Sequence, residues 1–155
     1  RARMAGTVDD TCYRTLLEKL DRQARLGAEL ERLCATQRRA IESDDLQGLM
    51  AALALREDVI AQLVQGDREL RSLRARGDGA GDAMSPPERD EIARRTRANA
   101  ELLERVEVWD KADRAAMEDK RSRLGRELAK LGEARRAASA YAPPAGGVRF
   151  QDREV

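Results

Sequence analysis

Proline placement constrains the fold of this chain more than any other feature. The four prolines stand in two pairs, Pro86–Pro87 and Pro143–Pro144. Inside a helix a proline removes an amide donor and clashes with the preceding turn, but it is well tolerated at the first helical position. Ser85 as N-cap, Pro86 in first place and Glu88 reaching back to the cap make a strong helix start. Pro143–Pro144 make a stop. Between them the spacing predicts one uninterrupted helix over 86–140, some 55 residues and about 80 Å long. Its apolar positions are Ile92, Leu102, Leu103, Val106, Trp109, Met117, Leu124, Leu128 and Leu131. Between Asp110 and Arg123 the stripe thins to alanines and Met117 among charges, so that stretch is expected to be weakly packed or exposed. The carboxylates Asp110 and Asp113 read as part of a solvated face.

Two further helices are predicted upstream. Tyr13, Leu16, Leu17, Leu20, Leu26, Leu30, Leu33, Cys34 and Ile41 recur mainly at spacings of three and four, which marks an amphipathic helix over about 8–42. Thr7 with Asp10 resembles a capping box at its start. The stretch "IESDDLQGL" then breaks the pattern, with Asp44 and Gln47 as a second box. A helix over 45–76 follows, carrying Leu46, Leu49, Met50, Leu53, Val59, Ile60, Leu63, Leu70 and Leu73. Residues 77–85, "GDGAGDAMS", form a linker too rich in glycine to hold a helix. Aromatic residues are only 3% of the chain while charged ones are 38%, which argues against a sheet and for thin helix–helix seams. The fold class expected is all-α: an antiparallel helical hairpin plus a long third helix, an elongated three-helix bundle or coiled coil. Residues 1–141 would form the helical domain and 142–155 a flexible tail.

Composition also narrows function. The chain contains no histidine, which excludes Ser-His-Asp and Cys-His nucleophile systems and histidine-containing metal sites. Two cysteines, Cys12 and Cys34, are too few for a cysteine-only zinc site. On one helix their separation of about 33 Å forbids a disulfide. No cofactor and no catalytic or metal site is expected, and the chain does not read as an enzyme. Thirty basic and 29 acidic residues are interspersed, without the basic face of a nucleic-acid binder. No apolar run is long enough to cross a membrane, and no apolar signal region opens the sequence. A cytoplasmic protein is the expectation, with Met4 a candidate start.

Helix lengths carry the argument to a site. The first two helices span roughly 52 and 45 Å. A third helix laid beside them runs out of partners near residue 120, leaving some 20 residues uncovered. In those, Leu124, Leu128, Leu131, Ala138 and Tyr141 recur at spacings of three, four and seven. Such a stripe marks an interaction surface, complementary to a partner helix or groove. Gly125 and Gly132 weaken the free helix and permit close backbone approach. Were the third helix to kink back, the stripe would instead pack internally.

The order of these elements resembles the FlgN family of flagellar type III export chaperones. The resemblance rests on the Leu-rich first helix, the short acidic break "SDDLQGL", the second helix "LALREDVIAQL", the long third helix, and a tail with a tyrosine and a Gly/Pro-rich stretch. It covers about residues 12–145. It implies a cytoplasmic chaperone that binds hook-associated proteins of the hook–filament junction and delivers them to the flagellar export apparatus. Leu124, Leu128, Leu131 and Ala138 would then match the client-binding region. Tyr141 would match a tyrosine that contacts the export gate. The alternative is a structural coiled-coil adaptor or self-associating scaffold, a homo-oligomer without an export role.

Overall fold

The computed structural model describes residues 6–76 and 84–142, with the backbone alone for residues 6–10. The fold is all-α. Three helices, α1 (Gly6–Glu42), α2 (Leu46–Arg76) and α3 (Pro86–Tyr141), make up the regular structure of the described residues. Most of the expected linker (77–83) and the expected tail (143–155) lie outside the described residues. α1 already includes Thr7 to Asp10. Thr7 is therefore inside the helix rather than at its cap, and the start lies ahead of the expected one. At α3 the capping box forms: the Ser85 amide donates to Glu88 Oε2 at 2.7 Å, and the Glu88 amide donates to Ser85 Oγ at 3.4 Å.

The joint between α1 and α2 is three residues long and serves both helices. The Asp45 amide donates to the Ala40 carbonyl at 2.9 Å and the Asp44 amide to the Ile41 carbonyl at 3.4 Å. This is a Schellman closure, which needs a left-handed residue after the helix. Asp44 fills that place at φ 57°. Asp45 then caps α2, its Oδ1 accepting the Gly48 amide at 2.9 Å. The cap is thus Asp45, not Asp44, because an N-cap needs extended backbone and Asp44 is committed to the left-handed turn. A left-handed conformation costs a residue with a Cβ roughly 1 kcal/mol that glycine does not bear. Asp44→Gly is expected to be about 1 kcal/mol more stable than Asp44→Ala in urea unfolding. Equal midpoints would remove the strain from this account.

The chain divides into two compact units, Arg1–Ala116 and Met117–Val155. In the first, two apolar clusters run along the helices. Leu16, Leu20 and Leu70 meet with Cys12, Leu73, Met84 and Ile92 around them. Leu26, Leu30, Cys34, Val59, Leu63 and Val106 form the other, flanked by Leu33, Leu102 and Trp109. Partners on α1 and α2 run in opposite directions: Lys19 pairs with Glu69, Gln23 Nε2 donates to the Leu63 carbonyl, and Gln37 meets Arg56. The Lys19 ammonium holds the Glu69 carboxyl below the usual carboxylate range. Up to Ala116, α3 follows α1 in direction, through Arg95–Asp21, Asn99 Nδ2 to the Leu20 carbonyl, and Arg105–Glu31. Two glycines permit the close packing. A Cβ on Gly27 would lie 2.8 Å from Leu102 Cδ2, and one on Gly66 would lie 2.8 Å from Gln23 Oε1. Gly66 costs α2 about 1 kcal/mol of helix propensity, and the space it leaves is where Gln23 sits.

A buried polar network ties all three helices together near the α1–α2 joint. Gln37 is 2% exposed, Asp113 3% and Arg56 8%. Gln37 Nε2 donates to Asp113 Oδ2 at 3.1 Å, and Arg38 Nε donates to Asp113 Oδ1 at 3.0 Å. Arg56 Nη1 donates to Gln37 Oε1 at 2.7 Å, while its Nη2 reaches both Asp110 oxygens at 2.7 and 2.8 Å. The reading of Asp110 and Asp113 as a solvated face is corrected here: Asp113 is buried and Asp110 is engaged by Arg56. Their oxygens are already claimed by cations and an amide. Burial beside this network pushes the Cys34 thiol up. Since the thiolate is the reactive species, Cys34 should resist labelling by a thiol reagent in the folded protein while half-buried Cys12 reacts. Two thiols reacting at one rate without denaturant would contradict this packing.

Candidate functional site

In the second unit, α3 has no buried side chain among its described residues, from Met117 to Tyr141. Apart from half-buried Met117, its apolar residues face water. Leu124 is 60% exposed, Leu128 68% and Leu131 66%, and Ala138 is exposed as well. Tyr141 is 89% exposed. The three leucines keep the three-and-four spacing of one helical face. By helical rotation Tyr141 lies roughly 100° from Leu124, at the edge of that face rather than on its line. A Cβ on Gly125 would meet nothing within 4 Å, and one on Gly132 only the Arg136 guanidinium at 3.9 Å. Among the described residues, neither glycine is filled by a neighbour.

Charges border this face. Arg121 approaches Glu118 at 3.7 Å and Arg123 pairs with Asp119 at 2.9 Å, both one turn apart on the same helix. Arg136 Nε donates to the Gly132 carbonyl at 3.3 Å. These contacts are local and exposed, of the kind worth a few tenths of a kcal/mol each. The arrangement offers apolar area and mobile cations to a partner.

A second apolar surface lies within Arg1–Ala116, and sequence reasoning missed it. A groove of about 660 Å³ opens between α2 and α3 over α1, lined by Ile60, Leu63 and Val64, by Leu102 and Leu103, and by Gly27. Leu46, Met50 and Ile60 belong to the apolar stripe expected of α2, yet all three are exposed, as is Val64. The face α2 buries is Ala52, Arg56, Val59, Leu63 and Leu70. Hydropathy alone hides that face, because an arginine stands in its middle. The signal that could have found it is the spacing from Ala52 to Val59 through Arg56, together with an aspartate pair on α3 in need of a cation.

Among the described residues no helix is long and apolar enough to cross a membrane. No protein-family model, curated protein or solved structure matches the chain.

Proposed function

We propose that the chain is a helical, non-enzymatic binding protein that masks an amphipathic segment of a client protein. Its sequence resembles FlgN-family export chaperones, and on this reading it acts in the cytoplasm on hook-associated proteins and brings them to the flagellar export apparatus. In this proposal α1 and α2 form an antiparallel hairpin, the first half of α3 completes an elongated bundle, and residues 117–141 hold the client. Tyr141 is the contact offered to the export apparatus.

One observation carries the reading: three leucines in a row stay exposed on a helical segment with no buried residue. Covering them with a partner would contribute about 3–6 kcal/mol before the cost of ordering. That is enough to drive association with a helix laid along them.

Purified chain immobilised on resin should retain a hook-associated protein from solution. Leu124→Asp, Leu128→Asp and Leu131→Asp combined should lower that affinity at least about a hundredfold, since each places an unpaired carboxylate in an apolar contact. Retention unchanged by the triple substitution would reject the surface. Failure to retain any hook-associated protein would reject the flagellar assignment. Tyr141→Ala should leave client binding intact and impair export.

A further inference from the structure

The leucine face of residues 117–141 carries more information than its apolarity. With alternate steps of four and three, a single seam reads Met117, Arg121, Leu124, Leu128, Leu131, Arg135 and Ala138. That is the seam of a coiled coil, narrower than the apolar face of a membrane-surface helix. Two arginines stand in it, one heptad to either side of Leu128. The surroundings are basic too. Residues 121–136 hold six cations (Arg121, Arg123, Arg126, Lys130, Arg135 and Arg136) against two anions, Glu127 and Glu133, although the chain as a whole is at +1. Arg135, Arg126 and Lys130 make no ion pair among the described residues, and the Arg121–Glu118 contact is long at 3.7 Å.

We propose that the partner of this segment is an acidic amphipathic helix, whose apolar seam is bracketed by carboxylates that meet Arg121 and Arg135. The inference rests on the reading of residues 117–141 as a protein-docking segment. A guanidinium carried into a helix–helix seam loses water and must find an anion, and a carboxylate satisfies its planar fork with two hydrogen bonds. The two arginines are 14 residues apart along the helix, about 21 Å. The partner's carboxylates are separated by a similar distance along its own axis.

A second copy of this chain fits the seam poorly. Paired in parallel, Arg121 would face Arg121 and Arg135 would face Arg135. Paired antiparallel about Leu128, Arg121 would face Arg135 of the other copy. In both registers cations oppose cations, and opposed like charges at such positions select against those pairings. An anionic membrane would satisfy the charges, but three leucines and no Trp or Phe on the face give it little to insert.

The test uses the full chain and two labelled synthetic helical peptides with the same leucine seam, one carrying glutamates at the bracketing positions and the other lysines. Fluorescence anisotropy should show the glutamate peptide binding at least about tenfold tighter, with the margin shrinking as salt rises. Arg121→Glu with Arg135→Glu should invert the preference. Arg126→Glu with Arg136→Glu makes the same charge change off the seam and should leave the preference in place. All four positions are exposed, and circular dichroism checks that the variants remain helical. Equal affinity for the two peptides would overturn the proposal, and so would the same loss in both double variants. Self-association abolished by Leu128→Asp, or adsorption to phosphatidylcholine–phosphatidylglycerol vesicles without peptide binding, would assign the face to a second copy or to lipid instead. The two readings fail separately. Retention of a hook-associated protein that ignores Arg121→Glu/Arg135→Glu sinks the charge code alone. Charge-selective peptide binding with no hook-associated protein retained sinks the flagellar assignment alone.

Discussion

Arg56→Ala is expected to destabilise the folded chain by about 3–5 kcal/mol, the range for breaking one side of a buried ion pair. Arg56 donates to Gln37 on α1 and to both oxygens of Asp110 on α3, so its removal strands partners on two helices at once. The buried Gln37 carbonyl would lose its donor, and the Asp110 carboxylate would keep its charge with no cation against it. The aliphatic stem would leave a void in addition. Urea unfolding monitored by helical circular dichroism measures the loss. A cost below about 1 kcal/mol would mean that water replaces the guanidinium freely. The network need not be the most stable filling of its space. Arg56 Nε is buried without a partner among the described residues, so the arginine is only partly satisfied. Replacing Arg56, Gln37, Asp110 and Asp113 together by Met, Leu, Leu and Leu, so that no carboxylate is left without its cation, is therefore expected to cost far less than Arg56→Ala alone. On that outcome, the role left to the network would be to fix which residues of α3 lie opposite α1 and α2.

The second large effect separates the apolar residues that hold the fold from those that do not. Leu30→Ala should cost about 2–5 kcal/mol, because Leu30 is buried between Val59, Leu63 and Val106 and its loss leaves a cavity. Leu128→Ala, the same chemical change on the exposed face of α3, should stay within about 0.5 kcal/mol. The pair is measured in one urea series on the full chain. Comparable losses at both positions would show that Leu128 is covered in solution, and the docking surface would have to be withdrawn. Client affinity should move the other way, falling with Leu128→Ala and holding with Leu30→Ala as long as the protein remains folded.

Much of the helical character was legible from local rules. The paired prolines and the Ser85–Glu88 box depend on backbone chemistry within four residues, and such rules do not need tertiary context. The same locality explains the misses. Asp44 and Asp45 are chemically identical, and only the left-handed turn that closes α1 decides which one caps α2. Asp113 looked like a surface charge because its partners, Gln37 and Arg38, are about 75 positions away in sequence. α2 carries apolar residues on more than one face, and burial follows the face that brings Arg56 to Asp110. Long-range polar pairing selects between faces that hydropathy ranks the other way. Leu124, Leu128 and Leu131 could be named from spacing, whereas the groove beside Ile60 and Leu103 depends on how three helices meet.

The glycines at 125 and 132 bear on how long the protein lasts. A helical stretch with no buried residue, two glycines and six cations within residues 121–136 is expected to open often, because little tertiary contact opposes fraying. Each opening presents arginine and lysine bonds to trypsin-like proteases. A bound partner would close those sites by mass action. Occupancy would then govern turnover, with loaded copies persisting and idle ones trimmed back toward the unit that ends at Ala116.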